Sequence, residues 1–175
     1  MRKIEKEVKK LLDDNVVSKP PVPVDRIAEF LGAVISFEPF KGKDDLSGIL
    51  YRDGKNKIIG INSAHAQTRQ RFSIAHEIGH LTLHNKELFV DKVVRVNFRD
   101  NKSSLATDRE EIEANTFAAE FLMPKSFINA EIDRLIKKWQ SFDKDDLINH
   151  LARAFHVSPQ AMEFRLINLG ILISH

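Results

Sequence analysis

The 175-residue sequence contains no cysteine, which removes disulfides, thiol nucleophiles and every cysteine-ligated metal site in one step. Any metal in this protein has to be held by histidine, aspartate or glutamate. Long apolar runs are also missing, and no segment approaches the roughly 20 residues needed to cross a membrane. The first residues, MRKIEKEVKKLL, are interrupted by charges and lack both the apolar stretch and the cleavage site of a secretory signal. The expected location is therefore cytoplasmic. No charge of one sign dominates: 27 Lys and Arg against 25 Asp and Glu leave a net charge of +2. With the two signs interspersed, this is an ordinary solvated surface and gives no electrostatic footprint for nucleic acid. The length fits one globular domain, or one with a small helical appendage, and is enough to bury a core.

Ile4, Val8, Leu11 and Leu12 recur at helical spacing, and the pattern stops before Pro20, Pro21 and Pro23. Asp25 is placed to cap a second helix carrying Ile27, Ala28, Phe30 and Leu31, with Gly32 closing it. Three segments rich in β-branched residues follow: Ala33 to Phe37, Ser47 to Arg52 and Lys57 to Asn62. Asp53-Gly54 between the last two reads as a hairpin turn, so a small, mostly antiparallel sheet is expected. A long helix should cover Ala66 to His84, and Val93 to Arg99 alternate as a strand does. Thr107 with Glu110 gives a capping-box signature for a helix from about Asp108 to Leu122, ended by Pro124. Ile128, Ile132, Leu135, Ile136 and Trp139 form one further helical stripe, and Leu147, Ile148, Leu151, Ala152 and Phe155 another. Ser158-Pro159 opens a last helix.

Inside the long helix stands HEIGH, His76 to His80. Residues four apart lie one turn above each other on one face, so the two imidazoles can grip one ion. Glu77 lies about 100° further round, where a carboxylate can reach an attacking water without ligating the metal. The periodicity puts both histidines on the border of the helix's apolar side, where a cleft can form. Gly79 costs about 1 kcal/mol relative to alanine in a helix interior, which implies close approach of another backbone or bulky group. The segment EEIEANTFAAEFLMP, Glu110 to Pro124, offers carboxylates on a second helix, and two histidines plus one glutamate form a catalytic zinc set with an open position. The metzincin continuation is absent, since Leu83 and Lys86 stand where it needs Gly and His. His84 lies about 12 Å along the axis from His76 and cannot share its ion; a local structural or substrate-facing role is expected.

RQRFSIAHEIGHLTLH (Arg69 to His84) and EIEANTFAAEFLMP (Glu111 to Pro124), in this order and spacing, resemble the ImmA/IrrE family of metallo-endopeptidases. Gly48-Ile49-Leu50, Ile59-Gly60-Ile61-Asn62 and LARAFHVSPQAMEFRLINLG fit the same pattern, so the resemblance covers nearly the whole chain. It implies an α+β, zincin-like fold in which the sheet packs against the HExxH helix and a glutamate-bearing helix. It also implies zinc held by His76, His80 and Glu111, with Glu77 as the catalytic glutamate. The implied activity is zinc-dependent cleavage of a helix-turn-helix repressor, which releases genes of a mobile element or a stress regulon. The expected division is a metallopeptidase domain over 1–125 and a helix-turn-helix-like helical subdomain over 126–175, packed on it.

Helical geometry agrees with Glu111 as third ligand, because it shares a face with Ala114, Asn115, Ala118 and Leu122, the small and apolar side. Glu113 and Glu120 are expected to face solvent, and Asn115 to accept a hydrogen bond from the outer nitrogen of a ligand histidine. Tyr51 and His65 are candidates for oxyanion stabilisation. An edge strand from the second or third segment could pair with an extended substrate. Two other readings compete: a DNA-binding module built from the last two helices, and a metal-stabilised binding protein that does not cleave. The first is disfavoured, because His156 stands where the turn commonly has glycine and the last helix offers one arginine, Arg165, beside Glu163.

Overall fold

The structure, a computed structural model, describes residues 2–43, 45–54, 56–85, 87–92, 107–138 and 143–173. In chain order the elements are α1 (Arg2–Asp14), α2 (Val24–Phe30), β1 (Val34–Glu38), β2 (Leu46–Asp53), β3 (Asn56–Asn62), α3 (Gln67–Leu83), β4 (Leu88–Lys92), α4 (Thr107–Leu122), α5 (Lys125–Lys138), α6 (Lys144–Phe155) and α7 (Pro159–Asn168). The class is α+β. The strand expected over Val93 to Arg99, the capping side chain of Thr107, and Trp139 fall outside the described residues and side chains.

The sheet is mixed, in the order β1-β3-β2-β4. β2 and β3 form the expected hairpin, with Asp53 opposite Asn56, and β4 adds to β2 antiparallel. β1 departs from the antiparallel expectation: it pairs with β3 in parallel, from Val34 opposite Ile58 to Glu38 opposite Asn62. Between β1 and β2 one strand position is skipped, and the hairpin then returns β3 into the gap, running the same way as β1. Among the described residues β1 and β4 are therefore the edges, and β2 and β3, expected to offer a free edge to substrate, are central.

Side chains alternate across the pleat, so one face of the hairpin carries Leu50, Ile59 and Ile61, all fully buried. The other carries Ile58 and Tyr51, with Val34 of β1 beside Ile58, and all three stay exposed. The buried face lies against α3, and α4 packs on α3 and α1. The glutamate-bearing helix thus packs on the HEIGH helix and not on the sheet as expected. Lying between these layers, α3 is buried on every side from Ser73 to His80. Its histidines are not on an apolar border; they are inside, at 1% exposure each.

In α2, Asp25 lies within the first turn and the cap position is Pro23, which makes no side-chain cap. Of its apolar residues, Ile27 and Ala28 are buried and Phe30 is exposed. Gly32 takes the left-handed φ of +77° that closes the helix. In the turn after α1, Val16 is also left-handed, at φ 55°, a conformation that a β-branched residue rarely adopts. At the far end, Ser158 Oγ accepts from the Ala161 N–H and caps α7, as its sequence suggests. Leu147, Ile148, Leu151, Ala152, Phe155 and Leu166 join the same core cluster as Ile4, Ile27 and Ile74. His156 adopts the left-handed turn position itself, at φ 54°. Arg165 donates to the Met123 carbonyl and forms an ion pair with Glu120, tying α7 to α4. Glu120 therefore does not face solvent, and the one arginine considered for DNA reading is used in packing.

Candidate metal centre

Two helices supply the centre. α3 places His76 and His80 one turn apart, and α4 brings Glu111 across from them. The close approach implied by Gly79 is present: a Cβ built there would lie 3.2 Å from the Cα and the carbonyl oxygen of Ala114 and 3.2 Å from the Phe117 Cβ. Only a glycine lets the two backbones come this near. Glu111 lies one helical turn before Asn115, on the face of α4 that this contact holds against α3.

The three donor atoms form a tight triangle. His76 Nε2 and His80 Nε2 are 3.0 Å apart, and the Glu111 oxygens lie 3.2 Å from the first and 3.3 Å from the second. A tetrahedral zinc with bonds of about 2.0–2.1 Å spaces its ligand atoms by roughly 3.3–3.4 Å. The group can hold a metal ion, with all three donors within 4.8 Å of one another. Its electrostatics also suit a cation. Burial alone would raise the Glu111 carboxyl, but hydrogen bonds and charge from His76 and His80 hold it down at about 2. Burial pushes His80 below the ordinary histidine value, against the opposing hydrogen bond of Glu111. Both shifts favour the ligand forms, ionised carboxylate and neutral imidazole.

The nitrogens turned away from the centre are also engaged. His76 Nδ1 lies 3.0 Å from Asn115 Oδ1, the contact that helical geometry suggests. His80 Nδ1 lies 3.0 Å from His84 Nδ1, and His84 Nε2 is 3.2 Å from Glu113 Oε2. Glu113, expected to face solvent, is held instead between His84 and Arg109, whose hydrogen bonds draw its carboxyl below the ordinary value. Sequence spacing missed this because His84 leaves the helix in an extended conformation, at φ −125° and ψ 161°.

Glu77 is fully buried and faces the sheet at Gly48. A Cβ at Gly48 would lie 2.6 Å from Glu77 Oε1, so the missing side chain makes the room the carboxylate occupies. The Gly-Ile-Leu segment gave only the glycine, not its partner. Further along the same strand, the Arg52 guanidinium donates to the His84 carbonyl at 2.6 Å and to the His80 carbonyl at 3.4 Å. It closes the carboxyl end of α3, where helix carbonyls lack partners. Tyr51 pairs opposite Ile58 on the outer face, away from Gly48 and Glu77, which removes it from the oxyanion candidates. His65 lies ahead of α3, in the bend whose carbonyl accepts from Gln70.

The pattern of the IrrE N-terminal-like domain, Peptidase M78, matches residues 28–167, a span that includes β2, both ligand helices and the terminal pair. The chain belongs to the Peptidase M78 family. A Bacillus subtilis (strain 168) protein named Metallopeptidase ImmA is 30% identical over 131 residues, 73% of this chain and 69% of that protein. An immunity region protein of Bacillus phage phi105, itself uncharacterized, is 33% identical over 90 residues, 51% of this chain and 52% of that protein. The chain thus aligns with only about half the length of its phage relative. Within the M78 family the His-His-Glu cluster is the feature of this chain that matches a metallopeptidase. Among the described residues no helix is long and apolar enough to cross a membrane.

Proposed function

We propose that this protein is a zinc-dependent endopeptidase of zincin-like design that cleaves a helix-turn-helix repressor and so releases the genes it controls. The observation that carries the reading is the triangle of His76, His80 and Glu111 with the buried Glu77 carboxylate one residue from a ligand. A zinc ion held by these three side chains would supply Lewis acidity toward a scissile carbonyl and a nucleophile at neutral pH. His76 and His80 offer their Nε2 lone pairs, and Glu111 completes a set that leaves a position open for reaction. Glu77 takes the proton of the attacking water and delivers it to the leaving amine. The name of the phage relative, an immunity region protein, supports a substrate in the control of a mobile element. On this reading 1–125 carries the chemistry and the helices of 126–175 form a subdomain that packs on it.

The test is incubation of the zinc-loaded protein with the repressor encoded in the neighbouring gene, followed by mass spectrometry of the fragments, with and without a chelator. The parent should give discrete fragments that the chelator suppresses. Glu77→Gln should bind zinc as the parent does and lose nearly all cleavage, because it removes a base and no ligand. Substantial cleavage by Glu77→Gln would refute the mechanism. Zinc-dependent cleavage of unrelated proteins only would refute the repressor assignment.

A further inference from the structure

His84 is held by its main chain from both sides. Its N–H donates to the His80 carbonyl at 3.0 Å, and its own carbonyl accepts from Arg52 at 2.6 Å. Anchored in this way, its ring stands 5.1 Å from that of His80, tilted by 51°, with the two Nδ1 atoms in hydrogen-bond contact. A carboxylate only accepts, so in the contact with Glu113 the proton belongs to His84 Nε2. In a neutral ring the Nδ1 of His84 is then an acceptor, and the proton in the His80 contact belongs to His80 Nδ1. That leaves His80 Nε2 unprotonated, with its lone pair turned toward His76 Nε2 and Glu111. Glu113 is itself fixed, with its second oxygen 2.9 Å from Arg109 Nε.

We propose that His84 is a positioning residue which, backed by Glu113, fixes the tautomer and orientation of His80 for metal binding. The proposal rests on the reading of His76, His80 and Glu111 as metal ligands and assigns a role to two residues outside that set. It makes the two ligand histidines unequal. His76 is backed by a neutral amide, Asn115, while His80 is backed by an imidazole that is itself bonded to a carboxylate. Backing of the second kind makes a ligand nitrogen more basic and holds the metal more tightly.

The experiment is zinc titration against a competing chelator, with the metal-free melting temperature measured for each protein. His84→Ala should weaken zinc binding about 10- to 100-fold, the usual effect of losing such a partner. His84→Asn should recover most of the affinity, because its Oδ1 stands near the lost Nδ1 and accepts the same proton. Glu113→Gln should still bind zinc stoichiometrically but with lower affinity than the parent, and it keeps the test open should the Ala variant fail to fold. Parent-like affinity in His84→Ala, or in Glu113→Gln, would overturn the proposal. So would an Asn variant as weak as the Ala variant, or affinities that merely follow the metal-free melting temperatures. Glu111→Gln is the control for the ligand set: if it binds like the parent, or if the parent binds no zinc, the ligand assignment itself falls. The His84 results alone leave that assignment standing.

Discussion

Replacing Gly79 with alanine sets two opposed effects against each other in one helix turn. Alanine in place of glycine favours a helix interior by about 1 kcal/mol. The new Cβ, however, would sit 3.2 Å from two main-chain atoms of Ala114 and from the Phe117 Cβ, where carbon contacts are comfortable at about 3.5–4.0 Å. Main-chain atoms cannot rotate away, so α4 must retreat by roughly 0.3–0.5 Å; overpacking of this kind costs about 1–3 kcal/mol. The net expectation is a loss of about 0–2 kcal/mol, and for a protein of this size each 1 kcal/mol lowers the melting temperature by about 2–4 °C. The same retreat widens the gaps of 3.2 and 3.3 Å between Glu111 and the histidines, so zinc affinity should fall together with stability. Urea unfolding of the metal-free protein, paired with zinc competition, measures both. A gain of about 1 kcal/mol with unchanged zinc affinity would show the propensity gain unopposed and refute the close-approach argument.

Gly48→Ala should leave zinc affinity intact but displace the Glu77 carboxylate by roughly 0.7 Å, lowering repressor cleavage about 10- to 100-fold, since 1 Å of misplacement can cost about 100-fold. Parent-like cleavage rates would show that the carboxylate needs no such room. Val16→Gly should stabilise the protein by about 0.5–1 kcal/mol in urea unfolding, because a left-handed residue with a Cβ costs about 1–2 kcal/mol and glycine returns part of that as entropy. Unchanged or lower stability would count against strain at that turn. For Glu111 the folded value, about 2, lies below the ordinary 4.5, so its contribution is complete above 4.5 and lost as pH falls toward 2. His80, also depressed, adds a loss that begins as pH drops below 6.5. Metal-free Glu111→Gln should therefore show a flatter stability curve than the parent between pH 4.5 and 2, and parallel curves would refute the pairing.

What the sequence made legible was periodic or local. HEIGH declares its own geometry, since the helix period alone stacks His76 over His80. Gly79 is informative because glycine inside a helix has a cost that something must offset. The capping serine at Ser158 and the stripe from Leu147 to Phe155 are likewise settled within a few residues. The features that escaped depend on partners distant in the chain. Gly48 looks like any strand glycine until Glu77 is placed against it. Glu120 and Glu113 sit on the polar side of α4 by period, yet Arg165 from α7 and His84 from the end of α3 reach them. The burial of α3 on every side from Ser73 to His80 could not be read from a helix carrying arginines and histidines, because it depends on layers above and below. The parallel pairing of β1 was hidden for a similar reason: spacing tells which segments are strands, not which neighbour each will choose.

Gly48 and Arg52 lie on one strand, four residues apart, and touch α3 at two points, the first at Glu77 and the second at the carbonyls of His80 and His84. Four strand residues span about 13 Å, and the six helical steps from Glu77 to Leu83 about 9 Å, with His84 extending beyond them. The strand therefore works as a ruler laid along the helix, and the quantity it conserves is a length. Its pairing with β4 shifts register between Leu46 and Gly48, so an extra residue is accommodated just outside the measured interval. Inside the interval the pairing runs unbroken from Gly48 opposite Asp91 to Tyr51 opposite Leu88. Side chains between the two marks can vary in kind, but inserting or deleting one residue there would turn the following residues to the other face and part the guanidinium from the helix end. In this stretch the number of residues is more constrained than their identity.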